Sequence, residues 1–295
     1  MSSIQSKDSL LREWRESAPY WERHAKTIRT MFAPVTRALI EEAGITEGQK
    51  VLDVAGGPGE PSLSIAEVVG PSGLVMCTDL IAEMVAAAER EAGRRELTNV
   101  KFQKCSVESL PFEDNSFDAV VSRLGVMFFP DPLAGLREMI RVTRPKGIVS
   151  LAAWGRSDRN PFSYLVTNVT SRFIQTPPAD PNGPGAFRYA ESGKLAATLA
   201  QAGATGVKER LLRFCIAAPV SFNEFWEIRS QTSGTLRENL EKLSAEERIQ
   251  VTREVEEAAR EFFPKDEMSL PAQMLIVTGH KPTPNFEFRI ANFEF

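Results

Sequence analysis

Histidine and cysteine are scarce in this chain: two and three, respectively, among 295 residues. His24 and His280 alone cannot make a zinc site, and Cys77, Cys105 and Cys215 stand in apolar, strand-like surroundings without metal-ligand spacing. An odd number of thiols in such surroundings points to reduced cysteines, a cytoplasmic location and no structural metal. No run approaches 18 apolar residues, so no membrane-spanning helix is expected. Met1 to Arg15 is polar and charged and lacks the apolar core of a signal peptide. Positive charge is not in excess either. A net charge of −4 and a pI near 5.5 leave no electrostatic footprint for DNA or RNA. Also missing is Gly-x-Gly-x-x-Gly, the turn a dinucleotide fold requires, which disfavours a nicotinamide oxidoreductase.

What is present is an ordinary globular composition, 42% hydrophobic and 25% charged. The length fits one large α/β domain, or one domain with an insertion. The stretch on which the rest depends is Val51-Leu52-Asp53-Val54-Ala55-Gly56-Gly57-Pro58-Gly59. It reads as a buried strand entering a glycine-rich turn, with Glu60-Pro61 opening a helix. Such a turn exposes backbone N–H groups and has little side-chain bulk to keep a ligand away.

Before it, residues 1–47 read as helical. Trp21, His24, Ala25, Ile28 and Phe32 recur at helical spacing in a segment opened by Pro19, and a second short helix is expected from Pro34 to Gly44. The segment is either packing or a flap over the site, and Tyr20, Trp21 and His24 cluster in it. After Val51, strands expected at Leu74–Thr78, Val100–Cys105, Phe117–Ser122 and Ile148–Trp154 alternate with helices at Pro61–Val69 and Ile81–Ala92 and after the N-cap Asp131-Pro132. Gly93 is expected to close the second helix. Strands and helices in this rhythm argue a parallel, doubly wound sheet.

Past Trp154 the rhythm breaks. A short helix from Pro161, a loop holding Pro177, Pro178, Pro181 and Pro184, a helix over Ser192–Ala202 and a strand over Val207–Phe214 come first. Two capping boxes, Ser221 with Glu224 and Ser244 with Glu247, start helices, the second with Val251, Val255, Ala258, Ala259 and Phe262 inward. The charged run from Glu246 to Glu261 is a solvated face. Ala272–Thr278 is a last strand, so residues 220–268 form a helical insertion of the size that carries a lid or acceptor pocket. The tail, residues 285–295, repeats Asn-Phe-Glu-Phe and is either an added edge strand or a non-native appendage.

The acids narrow the ligand. Asp53 lies on the strand just before the turn, where a carboxylate can reach a ligand amine, and Asp79 ends the second strand, where it can accept ribose hydroxyls. A cradle of this kind suits a ligand with an ammonium group and a ribose but no pyrophosphate, as in S-adenosylmethionine. Together with Ser106-Val107-Glu108-Ser109-Leu110-Pro111-Phe112 and Asp114-Asn115-Ser116-Phe117-Asp118, these residues resemble the class I S-adenosylmethionine-dependent methyltransferases. Among them, the chain resembles the ubiquinone/menaquinone-biosynthesis, UbiE-like, small-molecule type, strongly over 48–155 and weakly to 280. The resemblance implies an α/β, doubly wound, mostly parallel, seven-stranded Rossmann-like sheet whose last strand is antiparallel, with a helical N-terminal segment and a helical lid insertion.

It further implies that Asp53 and the turn Ala55, Gly56, Gly57 and Gly59 hold the methionine part. Asp79 holds the ribose, Leu80 packs on adenine, Ser106 and Val107 face its edge, and Arg123 closes the site by backbone contact. The chain departs from the family at Ala55, which replaces the first glycine, and at Ser106, where an aspartate is common. The expected division is a cap over 1–47, a cofactor core over 48–155 completed by 191–219 and 269–284, and a lid over 156–190 and 220–268. Tyr20, Trp21, Met127, Phe128, Trp154, Phe162, Tyr189 and Trp226 are candidate walls of the acceptor pocket. Ordinary packing explains most of these aromatics equally well. His24 is either a satisfied histidine on an apolar face or a general base. The absence of Asn/Asp-Pro-Pro-Tyr argues against methylation of nucleic-acid bases and leaves a small, largely apolar or aromatic acceptor methylated at carbon or oxygen. A non-catalytic, regulatory cofactor-binding module is the alternative.

Overall fold

The computed structural model describes residues 7–174 and 180–283, so the repeat in 285–295 and the expected loop prolines Pro177 and Pro178 lie outside the described residues. Two helices open the chain, α1 (Lys7–Arg23) and α2 (Ala25–Glu42). Neither begins at the expected proline. Pro19 and Pro34 lie inside them, and the break falls at His24. On α2 the apolar face Ile28, Met31, Phe32, Val35, Ala38 and Leu39 runs unbroken across Pro34 and is wholly buried. Burying several such side chains, at about 1.5–3 kcal/mol each, outweighs the roughly 3 kcal/mol an interior proline costs.

The alternating half follows as β1 (Lys50–Val54), α3 (Ser62–Val69), β2 (Leu74–Asp79), α4 (Ala82–Arg94), β3 (Val100–Lys104), β4 (Phe117–Arg123), α5 (Pro132–Val142) and β5 (Thr143–Trp154). Gly93 lies within α4 rather than closing it. The Asp131 carboxylate caps α5, accepting from the Ala134 N–H at 3.0 Å, with Pro132 at the first helical position. Beyond β5 come α6 (Pro161–Phe173), α7 (Lys194–Gln201), β6 (Thr205–Ala218), α8 (Phe222–Thr232), α9 (Gly234–Glu241), α10 (Ala245–Ala259) and β7 (Met268–His280). Both capping boxes form as expected, at Ser221 with Glu224 and Ser244 with Glu247. On α10, Val251, Val255 and Ala259 are buried, whereas Ala258 is exposed, one position off the stripe.

The seven strands form one sheet in the order β3-β2-β1-β4-β5-β7-β6. β1 to β5 pair in parallel, and β7 runs antiparallel to both β5 and β6, so the sheet is mixed. Four of the five β1 residues are buried, as expected of a central strand covered on both faces. The last two strands, β6 and β7, are longer than their apolar runs suggest. Lys208, Arg210 and Arg213 interrupt the pattern of β6, but the ladder continues beyond them as far as Ala218 opposite Met268. Strand order reverses between β1 and β4, and such a switch point opens a crevice at the strands' C-terminal ends. Among the described residues, no helix is long and apolar enough to cross a membrane.

Candidate active site

The turn after β1 sits at that crevice. Ala55 there has φ of 57°, in the left-handed region that disfavours an L-residue by about 1–2 kcal/mol. Its methyl fits because residue 125 opposite is glycine: a Cβ on Gly125 would lie 2.6 Å from that of Ala55 and 2.7 Å from Ser122 Oγ. Gly56 is required by close approach, since a Cβ there would stand 2.8 Å from both Asp53 Oδ2 and Cys77 Sγ. The Gly56 N–H donates to the Thr78 carbonyl at 2.9 Å, tying the turn to β2.

Asp53 does not reach the crevice. It is fully buried beneath the turn, with Oδ2 accepting from the Ser62 N–H (3.1 Å) and hydroxyl (2.6 Å). Its Oδ1 is buried without a hydrogen-bond partner. Burial pushes its pKa up to about 7, against the opposing pull of the Ser62 bonds and the Arg123 charge. The carboxyl therefore fixes the start of α3 under the cradle, which corrects the expectation that it meets a ligand amine. Asp79 does face the crevice. Its Oδ2 accepts from Gly57 N–H at 3.0 Å and its Oδ1 from Ile81 N–H at 2.9 Å. Burial raises its pKa, and backbone N–H groups of Ile81, Gly57 and Leu80 oppose that. With three backbone donors on about four acceptor positions, the carboxylate keeps capacity for a ligand hydroxyl.

Turn and acid open into a cavity of about 610 Å³, within the usual size of a small-molecule site. One end is walled by Ala55, Gly56, Gly57, Asp79, Ser106 and Val107. The Ser106 hydroxyl accepts from the Glu108 N–H at 3.3 Å. The other end is aromatic. Trp14 meets Phe128 edge-on at 5.0 Å between centroids, Phe32 meets Trp154 and Phe162 edge-on at 5.9 Å each, and Trp154 and Phe162 lie nearly parallel at 6.0 Å. The cavity thus joins a polar backbone cradle to a ring-lined chamber. Among the described residues, no group of three or more His, Cys, Asp or Glu side chains is placed to hold a metal.

Of the expected cofactor residues, Leu80 and Arg123 also line this cavity, while Asp53 and Gly59 do not. Arg123 acts through its side chain rather than only its backbone: Nη1 donates to Thr36 Oγ1 at 2.9 Å and the guanidinium stands 6.0 Å from the Phe32 ring centre. Of the expected acceptor residues, Trp21, Met127, Phe128, Trp154 and Phe162 are brought together there. Tyr20, Tyr189 and Trp226 are not. Tyr20 lies under Arg23 and Arg237, Tyr189 is buried in the core, and Trp226 packs against that core. His24 Nε2 is 2.8 Å from Gln231 Oε1 and lies off the cavity wall, favouring the satisfied histidine. Trp14, Glu60 and Arg229 also line the cavity, without any signal in the sequence that marks them for it. Glu60 Oε1 pairs with Arg95 at 2.7 Å.

Residues 45–173 match the family model described as a methyltransferase domain. Over 131 residues the chain is 37% identical to an uncharacterized protein of Mycobacterium tuberculosis, covering 44% of this chain and 46% of that one. Over 117 residues it is 39% identical to the ubiquinone/menaquinone biosynthesis C-methyltransferase UbiE of Hahella chejuensis, covering 38% and 45%. The chain therefore spans a little under half the length of these relatives. Among solved structures, phosphoethanolamine N-methyltransferase 2 of Haemonchus contortus, in complex with S-adenosyl-L-methionine, aligns with a TM-score of 0.55 over 92% of this chain and 60% of that one, at 16% identity, a likeness of fold. The matched segment is similar to methyltransferase domains, and the class it resembles is the class I, S-adenosylmethionine-dependent one. Within that class the chain resembles the UbiE type.

Proposed function

We propose that the chain transfers a methyl group from S-adenosylmethionine to a small, largely apolar or aromatic acceptor, at carbon or oxygen. The observation that carries this reading is the continuity of one cavity, from the glycine turn and Asp79 to the ring-lined chamber. The residues fit the cofactor. A Cβ on Gly57 would meet no protein atom within 4 Å and so would take up open space of the cradle, Asp79 keeps acceptor capacity, and Ser106 and Val107 supply a half-polar edge. Bound there, S-adenosylmethionine supplies a methyl group on a positively charged sulfur. The chain's own part is to hold the acceptor in line and keep water out, which needs no general acid. Helices in 156–190 and 220–268 serve as the lid: Phe162 on α6 and Ile228 and Thr232 on α8 line the chamber. A regulatory module that binds the cofactor without catalysis would be marked by a filled chamber, and this one is open.

Calorimetry tests the reading. S-adenosylmethionine and its demethylated product should both bind the purified chain, and no heat with either would remove it. Asp79→Ala should weaken both by tenfold to a hundredfold, since about 1.5–3 kcal/mol attends a hydrogen bond to a charged group. An unchanged dissociation constant would take Asp79 out of the site.

A further inference from the structure

Burying a charge without a partner is among the most unfavourable arrangements a fold can contain. Arg229, half-buried on α8, approaches that case. Its Nε is sealed from solvent with no hydrogen-bond partner among the described residues, and the rest of the group opens onto the ring-lined end of the cavity. The guanidinium carbon stands 4.6 Å from the centre of the Phe162 ring. Neighbouring arginines are satisfied: Arg95 by Glu60 and Glu67, Arg123 by Thr36, and Arg237 by the Gln231 carbonyl and Ser17. The carboxylates on the cavity wall are committed elsewhere. Glu13 accepts from Thr235, Glu60 and Glu91 pair with arginines, and Asp79 binds backbone. Burial alone, with no opposing charge, pushes the Arg229 pKa down to about 10. Lys26 and Arg29, on α2, add further cations to the cavity wall.

A planar fork of N–H donors lying against an aromatic floor suits a planar anion attached to a flat apolar frame. We infer that the methyl acceptor is a small aromatic carboxylate, its carboxylate held by Arg229 and its ring laid against Phe162 and Phe32. This rests on the methyltransferase reading and narrows its substrate class. Arg229 is then a specificity-determining residue: it holds the acceptor's charge and fixes which ring position faces the cofactor end of the cavity.

The test uses 4-hydroxybenzoate and 1-hydroxy-2-naphthoate, each beside its neutral methyl ester, titrated into the full chain saturated with S-adenosylhomocysteine. At least one acid should bind tenfold or more tighter than its ester, and Arg229→Gln should abolish that preference while Arg229→Lys keeps part of it. Cofactor affinity, measured first, should be unchanged in Arg229→Gln. Esters binding as well as acids would overturn the inference, as would a preference that survives in Arg229→Gln. Loss of cofactor affinity in that variant would overturn it too, by assigning Arg229 to the cofactor's own carboxylate. A phenyl phosphate bound more tightly than the carboxylates would overturn the choice of anion. If Arg229→Gln does not fold, the acid-to-ester ratio in the unaltered chain decides alone. Failure of the unaltered chain to bind S-adenosylhomocysteine would count against the methyltransferase reading itself, a distinct result.

Discussion

The carboxyl of Asp53 makes the stability of this fold depend on pH in the direction opposite to most aspartates. Folded, it holds its proton to about pH 7; unfolded, it releases it near the ordinary 3.8. Between those values the folded chain binds the extra proton, so stability falls as pH rises from about 4 to 7. At 1.36 kcal/mol for each pH unit, this displacement is worth up to about 4 kcal/mol, and about 2–4 kcal/mol is a reasonable expectation. Asp53→Asn removes the titration. The amide oxygen can still accept from Ser62, while its NH₂ replaces the unpartnered Oδ1 at some fixed loss. Urea unfolding of both chains at pH 5 and pH 8 provides the measurement. With only two histidines in the sequence, few other side chains change charge across this window, and those cancel in the difference. Only the pH units between 5 and 7 fall inside that comparison, so the unaltered chain should lose up to about 2.6 kcal/mol more than Asp53→Asn between the two pH values. Parallel pH profiles would refute the argument and make Asp53 an ordinary ionised carboxylate.

Other perturbations test the cradle and the lid. Gly125→Ala drives a methyl into the Ala55 methyl and the Ser122 hydroxyl and should destabilise by about 1–3 kcal/mol; adding Ala55→Gly should recover at least half, read as a double-mutant cycle by denaturant unfolding. An additive pair would mean that the two methyl groups do not compete. Ser244→Ala breaks the capping box of α10 and should lower unfolding free energy by about 1 kcal/mol with cofactor affinity unchanged, as measured by calorimetry.

The cradle was legible because its signals are local. Glycine spacing, β-branched runs and the acid that ends β2 each act within a few residues, as do the two capping boxes. Asp53 was misread because its meaning depends on which side of the turn the carboxylate meets, and Ser62, nine positions on, is what draws it underneath. Pro19 and Pro34 were read as helix starts on propensity, which tertiary burial overrode. For Tyr189 and Trp226 the aromatic identity was plain, but composition does not tell a cavity wall from a packed interior. Arg229 gave no sign at all, because its distinguishing property is the absence of a partner, and absence is decided by every other chain segment at once.

Trp21 donates its indole N–H to the Thr232 carbonyl at 3.1 Å, and Ser17 accepts from Arg237 at 3.2 Å, while Glu22 on the same helix holds Arg90 at 2.7 Å. The first helix thus bridges the early half of the chain and helices that follow more than 200 residues later. On a ribosome the order of events follows from this. The parallel strands β1 to β5 can assemble as they emerge, but the later partners of α1 and β7, their antiparallel neighbour, follow β5 only after α6, α7 and β6. The nascent chain therefore acquires the framework of its glycine turn early and an enclosed interior late. Until that closure, the Trp21 indole N–H lacks its Thr232 acceptor and the first helix has only its early partners.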